Sequence, residues 1–397
     1  MSKFEKFIVT VLIIFGIFML LKKENLLRFS DIDVDNRELA FDKYTQVTVL
    51  DKIYQNIDQI KLKNIAGNIN VEESKNQKAR ISVKYRIYTD NKLTKENILK
   101  IIKVKIKEGD ILKINTNSIK SFPYKKLRID YYLKLPKNIK LEIENHYGNI
   151  KSNLKANFKI KNKYGDIDIS NAEEIVYLYN KYGNVEVLNS KCYEIETKYS
   201  KVNLKSINSN IKIKSKYSSF SLSESKDVNI DSKFTKLELS EIKGDLEISG
   251  SYKPINIRNI KGDIKIKAKF SKIRLNNIIS KEFYLTNKYD NVEIKDIYFD
   301  NAFISLSNGN LKLNLIDLKD KLNIKNKYSD IQLNIAKSIN PIIVADLKYG
   351  KFINKTDLKF SIDKKNPYTK ILKQKGKQKI YILLEYGNFE VKTSNKL

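Results

Sequence analysis

From about Leu141 to Phe352, apolar and polar residues alternate in short runs that break at a regular interval. In Phe158-Lys-Ile-Lys-Asn-Lys-Tyr-Gly-Asp-Ile-Asp-Ile169, the residues Phe158, Ile160, Asn162 and Tyr164 fall on one face, and Lys159, Lys161 and Lys163 on the other. A period of two predicts a strand with one buried face. After Tyr164 the next apolar residue is Ile167, so the alternation slips and the chain bends at Gly165-Asp166. Gly, Ser, Asp and Asn suit such corners because they tolerate positive φ or bond their own backbone. Ile167 and Ile169 make a second short strand, and a second polar corner follows at Ser170-Asn171.

The pattern repeats. Its aromatic position is occupied at 147, 164, 182, 199, 217, 234, 252, 270 and 289, a near-constant step, and again at Tyr328 and Tyr349. The position two before the aromatic holds a small or amide residue, among them Asn162, Asn180, Thr197, Ser215, Ser232, Gly250, Ala268, Asn287 and Asn326. A column restricted in this way predicts a tight inner corner, where Asn and Ser bond to the neighbouring copy. Units this short hold no crossover helix and bury no core alone, but stacked units do. The predicted fold is all-β: a β-solenoid of eleven or twelve rungs of about 18 residues, on the order of 55 Å long at about 4.8 Å per rung. An antiparallel sandwich also has short strands and frequent turns. It does not require fixed residue types in each column.

The flanks lack this register. Residues 45–140 read as a β-rich N-terminal cap, with two strands around Gly67 in Ile60–Val71, a strand over Ala79–Tyr88, a short helix over Leu93–Lys100, and strands at Val104–Ile106, Ile111–Ile114 and Leu127–Leu135. Such a cap covers the unpaired backbone of a first rung. The repeats span 141–352, and 353–397 form a C-terminal cap in which Lys364–Lys379, with Pro367 and Gly376, reads as a loop. At the front, a short basic terminus (1–6) precedes an apolar run, Phe7 to Leu21, and a polar linker (22–44) follows it. Fifteen helical residues reach about 22 Å, enough to span only if flanking lysines snorkel. No small-residue cleavage pattern follows, so the run is expected to be an uncleaved signal anchor. The chain is then single-pass in the cell membrane, with its bulk outside the cytoplasm.

The formal net charge is +30, from 76 Lys+Arg against 46 Asp+Glu. Only seven of the basic residues are Arg. The Arg fork that grips phosphates and base edges is nearly absent, so no nucleic-acid partner is expected. Cys192 is the only cysteine, which excludes an intrachain disulfide, and it reads as a small buried residue. His146 is the only histidine and occupies a position that is lysine in later repeats, so it reads as a solvated corner residue. No catalytic triad, no Cys/His metal cluster and no phosphate-binding glycine loop is present, so no catalytic residue, metal or cofactor is expected.

The stretch Leu127-Arg-Ile-Asp-Tyr-Tyr-Leu-Lys-Leu-Pro-Lys-Asn-Ile-Lys-Leu-Glu-Ile-Glu-Asn-His-Tyr-Gly-Asn-Ile150 resembles a bacterial β-strand-repeat family of adhesin-like proteins of unknown function. In that family a strand ending in Leu/Val-Pro leads to a repeated Gly-Asp/Asn-Ile/Val. Ile65-Ala-Gly-Asn-Ile-Asn-Val71 is similar to its opening motif, and Gly376 through Tyr386-Gly387-Asn388-Phe389 to its closing one. The resemblance covers about residues 45–395. It implies a β-solenoid, usually exported or membrane-anchored, with no established activity. The Tyr-Gly/Ser corners and heavy lysine content depart from the family.

One functional lead remains. Lys163, Lys181, Lys198, Lys216, Lys233, Lys269, Lys288, Lys327 and Lys348 occupy one column of the repeat. A ladder of like charges repels itself, and a polyanion such as lipopolysaccharide, teichoic acid or an acidic glycan would relieve the repulsion. The plain alternative is a solvated face that blocks edge-to-edge aggregation. The expected function is a non-enzymatic, membrane-anchored envelope protein, adhesin-like or a scaffold, with unidentified protein partners. One alternative is a β-helix carbohydrate-active enzyme, a lyase or hydrolase of acidic polysaccharide, using outward carboxylates among Asp166, Asp168, Glu186, Glu238, Asp245, Glu247 and Asp263. A module that senses envelope stress through protein partners is the other.

Overall fold

The computed structural model describes residues 44–88, 104–109, 111–116 and 127–394. The basic terminus, the expected membrane helix over 7–21, the linker as far as 43 and the expected helix over Leu93–Lys100 lie outside the described residues. Among the described residues there are strands and turns but no helix. Apart from its first residues, this chain is one unit, Gln46–Leu397.

Alternation becomes strand because each run can bury one face against the run before it. Ile143, Ile160, Leu178, Ile195, Ile213, Ile230, Ile248 and Ile266 pair in parallel register, each with the next, and all are buried. Burying one such side chain is worth about 1.5–3 kcal/mol. A trailing stack runs beside this leading one, with Ile167 on Val185, Val185 on Val202 and Val202 on Phe220. The result is a β-solenoid of about ten turns. Later coils are longer: Phe283 pairs with Ala302 and Ala302 with Leu322, each a wider step than Ile213 to Ile230.

Two kinds of corner follow the leading strands. At Gly67, Gly148, Gly165 and Gly183 the glycine takes φ of +131° to +139°. A Cβ on Gly165 would overlap the carbonyl of Gly148, one coil away. From Tyr199 onward the aromatic itself turns left-handed, with φ between 54° and 70° at Tyr199, Tyr217, Phe234, Tyr252, Phe270, Tyr289, Tyr328, Tyr349 and Tyr386. That conformation costs a bulky L-residue about 1–2 kcal/mol. Stacking offsets it: from Tyr147 to Tyr289 nine rings lie 4.5–5.1 Å apart and within 10° of parallel. Each stacked pair contributes about 0.5–1.5 kcal/mol. The alternation alone assigns Tyr164 to the buried face, but the residue is 39% exposed. The backbone leaves the strand at this residue and turns the ring outward.

The small inner column behaves as expected. The Asn162 amide donates to the carbonyl of its own corner, Gly165, at 3.0 Å and to that of the coil before, Gly148, at 3.2 Å. Asn145 and Asn287 repeat the arrangement, and Thr197 and Ser215 replace it with a hydroxyl contact of 3.0 Å. The Asp or Asn after the glycine has a separate task. Asn68, Asn149 and Asp166 each use Oδ1 to accept the next coil's backbone N–H, at 3.0, 2.9 and 2.7 Å. The Gly-Asx pair is therefore a stacking device.

Both ends break the order of the chain. Strands Gln59–Ala66 and Ile69–Glu73 lie between the coil Leu112–Thr116/Leu127–Leu135 and the coil Lys140–Tyr147/Ile150–Ser152. Strands Lys379–Glu385 and Phe389–Ser394 lie between Leu322–Lys327/Ile331–Ala336 and Ile342–Lys348/Phe352–Lys355. Antiparallel strands then cover the outermost coils: Ala79–Ile87 on Leu127–Leu135, Val104–Lys107 on Leu112–Thr116, and Tyr368–Lys373 on Ile342–Lys348. The segment Lys364–Lys379, expected to be a loop, contributes to a hairpin in which Ser361–Lys365 pairs with Tyr368–Lys373 across Asn366-Pro367. The last parallel strand has an open edge, and pairing this segment against it satisfies backbone groups that a loop would leave to water.

Candidate functional site

Each leading strand ends with an outward residue just before the aromatic corner. The parallel register places Lys198 beside Lys216, Lys216 beside Lys233, and Lys269 beside Lys288. Lys163 and Lys181 fall in the same file, because Asn162 pairs with Asn180 and Tyr164 with Tyr182 on either side of them. Three residues interrupt the file: Ser251 between Lys233 and Lys269, Ser307 between Lys288 and Lys327, and Glu385 between Lys327 and Lys348. The nine lysines therefore share a column with gaps. Five are consecutive, and the last two are separated by a carboxylate from a distant part of the chain.

Like charges one coil apart repel by about 1 kcal/mol in water. The side chains relieve this locally. Lys181 lies 4.9 Å from the ring centre of Tyr182, Lys327 5.0 Å from Tyr328, and Lys348 5.6 Å from Tyr349. Such cation–π contacts are weak at exposed sites, about 0.5–1 kcal/mol. Glu385 binds Lys327 at 3.0 Å and Lys348 at 3.7 Å. Its hydrogen bond to Lys327 holds the Glu385 carboxyl below its usual range, and the same bond raises Lys327. His146, expected to be solvated, is half-buried, and its pKa is lowered first by that burial and then by Lys163. Cys192 is fully buried, as expected, and burial pushes its thiol pKa up.

The serine gaps have a geometric consequence that spacing alone does not reveal. Around Ser251 and Ser307 a groove of about 560 Å³ opens beside the file. Lys233, Lys267, Lys269 and Lys288 line it, with Ser249, Ser251, Thr286, Ser305 and Ser307 supplying hydroxyls and Asp231 the one carboxylate. Ammonium groups and hydroxyl donors around an open trough favour an anionic ligand.

The outward carboxylates do not converge on one centre. Asp166 is tied to the Asn184 backbone at 2.7 Å, Asp168 to Lys151 at 3.3 Å, and Glu238 to Lys236 at 3.0 Å. Glu186 pairs in register with Asp168 on the trailing stack. Asp245, Glu247 and Asp263 instead line a second groove, about 810 Å³, on the leading stack. Asp227 and Glu282 join them there, and neither was singled out from sequence. Each stands one repeat away from Asp245 or Asp263, and that spacing was the available signal. Among the described residues no group of three or more His, Cys, Asp or Glu is arranged to hold a metal ion.

No protein-family model matches the chain, and no curated protein matches it. Among solved structures it is similar to a "putative cell adhesion protein" from Clostridium sporogenes, at 11% identity over 89% of this chain and 100% of that one, with a TM-score of 0.17. It is also similar to a "putative adhesin" from Bacteroides fragilis, at 11% identity over 88% and 97%, TM-score 0.18. A "putative lipid binding protein" from Parabacteroides distasonis aligns at 12% identity over 87% and 96%, TM-score 0.19. These low scores leave the solenoid assignment resting on the strand register described above. Proteins named as adhesins, which the sequence resembles, are thus also among the solved structures that the chain is similar to.

Proposed function

We propose that this protein is a non-enzymatic envelope protein, anchored in the membrane by the apolar run at 7–21, whose lysine file binds an anionic polymer. The observation that carries the reading is the groove beside the file, where Lys233, Lys267, Lys269 and Lys288 surround a hydroxyl-lined floor. A solvated charge face requires no trough. A polymer with regularly spaced phosphates or carboxylates would exchange its counterions for these ammonium groups, so binding should weaken steeply with salt.

The test is retention on immobilised dextran sulfate and polyglutamate across a salt gradient. Lys233, Lys267, Lys269 and Lys288→Gln together should shift elution to clearly lower salt. A control with Lys205, Lys226, Lys243 and Lys261→Gln loses the same formal charge away from the groove and should shift far less. Equal shifts would reduce the effect to net charge and refute the site.

A further inference from the structure

The leading stack is polarised across its width. Asp227, Asp245, Asp263 and Glu282 stand immediately before four consecutive leading strands. Those strands end at Lys233, Ser251, Lys269 and Lys288. One margin of the sheet therefore carries four carboxylates, at a corner that also holds Lys226, Lys243, Lys261 and Lys281, and the other margin is basic, on the same coils and at the same pitch. The carboxylate file is unusual in a chain of net charge +30. Asp227, Asp245 and Asp263 each use Oδ1 to accept the next coil's N–H, at 3.0, 2.9 and 3.0 Å. Among the described residues none of these three, nor Glu282, has a Lys or Arg within ion-pair distance, whereas Glu247 beside them is held by Lys265 at 2.6 Å.

We infer that this face binds a second copy of the chain, the two solenoids lying side by side and parallel. A two-fold axis along the solenoid axis keeps every coil at its own level and exchanges the two margins. Asp227 then faces the second copy's Lys233, Asp263 its Lys269 and Glu282 its Lys288, with each contact made twice. Asp245 meets Ser251. A two-fold axis across the strands sets acid against acid and lysine against lysine, so charge selects the parallel arrangement.

The middle of the face fits the same operator. Towards the C-terminal coils it turns apolar, with Tyr284, Tyr381 and Leu383 exposed and Tyr284 stacked on Phe303 at 5.2 Å. The axis brings Tyr284 to Thr286 and Tyr381 to Leu383. Lys265 against Lys267 and Lys321 against Lys327 are the unfavourable contacts; Glu247 already neutralises Lys265 and Glu385 already neutralises Lys327. Towards the N-terminus Lys212 would meet Lys214, and Glu194 would meet Glu196, so like charges end the contact there. From Val228–Lys233 to Ile342–Lys348 the face measures roughly 20 Å by 38 Å, close to the ~800 Å² per partner of stable complexes. Because Lys233, Lys269 and Lys288 also border the lysine groove, an anionic polymer and the second copy exclude each other.

The experiment is sedimentation equilibrium of the full-length protein, in neutral detergent, at about 10 mM and about 1 M salt. The Debye length falls from ~30 to ~3 Å over this range, so the dimer dissociation constant should rise at least about tenfold. The triple variant Asp227/Asp263/Glu282→Lys should be monomeric, and so should Lys233/Lys269/Lys288→Glu. Mixing the two should restore a dimer. For geometry, chains carrying Asp245→Cys and chains carrying Ser251→Cys should crosslink when mixed and neither should crosslink alone. A wild type that stays monomeric at low salt overturns the inference. So does a dimer indifferent to both triple variants, or crosslinking by Ser251→Cys alone. None of these results bears on polymer retention by the lysine groove, so the two readings fail separately.

Discussion

The middle of the solenoid and its two ends are built by opposite rules. In the middle each coil lies on the coil just before it in the chain, and contacts close over a single repeat. At the ends the neighbour comes from far away. Gln59–Ala66 pairs with Lys140–Tyr147, and Lys379–Glu385 inserts between two coils that are successive in sequence. Short loops make the middle entropically inexpensive and able to grow coil by coil. The insertions at the ends make each terminal coil depend on a remote segment. Stacked repeats otherwise fray from their ends, and a strand that must be withdrawn before the last coil can leave opposes fraying.

The largest expected effect tests the C-terminal insertion. Ile382 is buried between Ile324 and Ala345. Ile382→Asp places an unpaired charge there and should cost more than about 4 kcal/mol locally. Limited proteolysis should then cut within 338–378 while the coils from 141 to 336 stay protected. Uniform loss of protection would show instead that middle and end form one cooperative unit.

The N-terminal end can be opened by base. Burial raises the pKa of Tyr85 from 10 to about 12, and burial likewise raises Tyr131, its neighbour in the same end unit. The folded state thus keeps protons that the unfolded state releases near pH 10. This stabilisation is complete below pH 10 and is lost as pH rises through the folded values, by about 2 kcal/mol for Tyr85 near pH 12. Tyrosinate absorbance should rise together with exchange of the Ala79–Ile87 amides while the middle coils remain protected. Tyr85→Phe should blunt the transition.

The smallest effect separates stacking from strain at one corner of the middle. Tyr217 stacks on both neighbours but holds φ at 55°. Tyr217→Ala loses the stack and keeps the strain, and should cost about 1–2 kcal/mol in chemical denaturation. Tyr217→Gly loses both and should fall within about 1 kcal/mol of the parent. Equal costs for the two would mean that the left-handed corner is unstrained.

Much of this was legible in the chain. The period, the strands of the repeat, the inner Asn and Ser column and the lysine column all follow from residue identity at fixed spacing. The outward turn of Tyr164 was not legible, because alternation continues through a corner on paper while the backbone does not. The hairpin at Ser361–Lys373 was missed because its partner is an edge made by the fold, and Asp227 and Glu282 were missed because a carboxylate before a strand looks like any solvated corner.

By itself the sequence determined what one coil is. Alternation and corner chemistry are local, and fixed residue types in each column at a near-constant step favour stacking over a sandwich as the way to bury the apolar face. The tertiary structure alone decided which coil lies beside which at the two ends, and that Ser251 and Ser307 open a trough in the lysine file. It also decided that one sheet carries a file of carboxylates on one margin and a basic file on the other. Each of these is a relation between residues whose separation along the chain does not encode their distance in space.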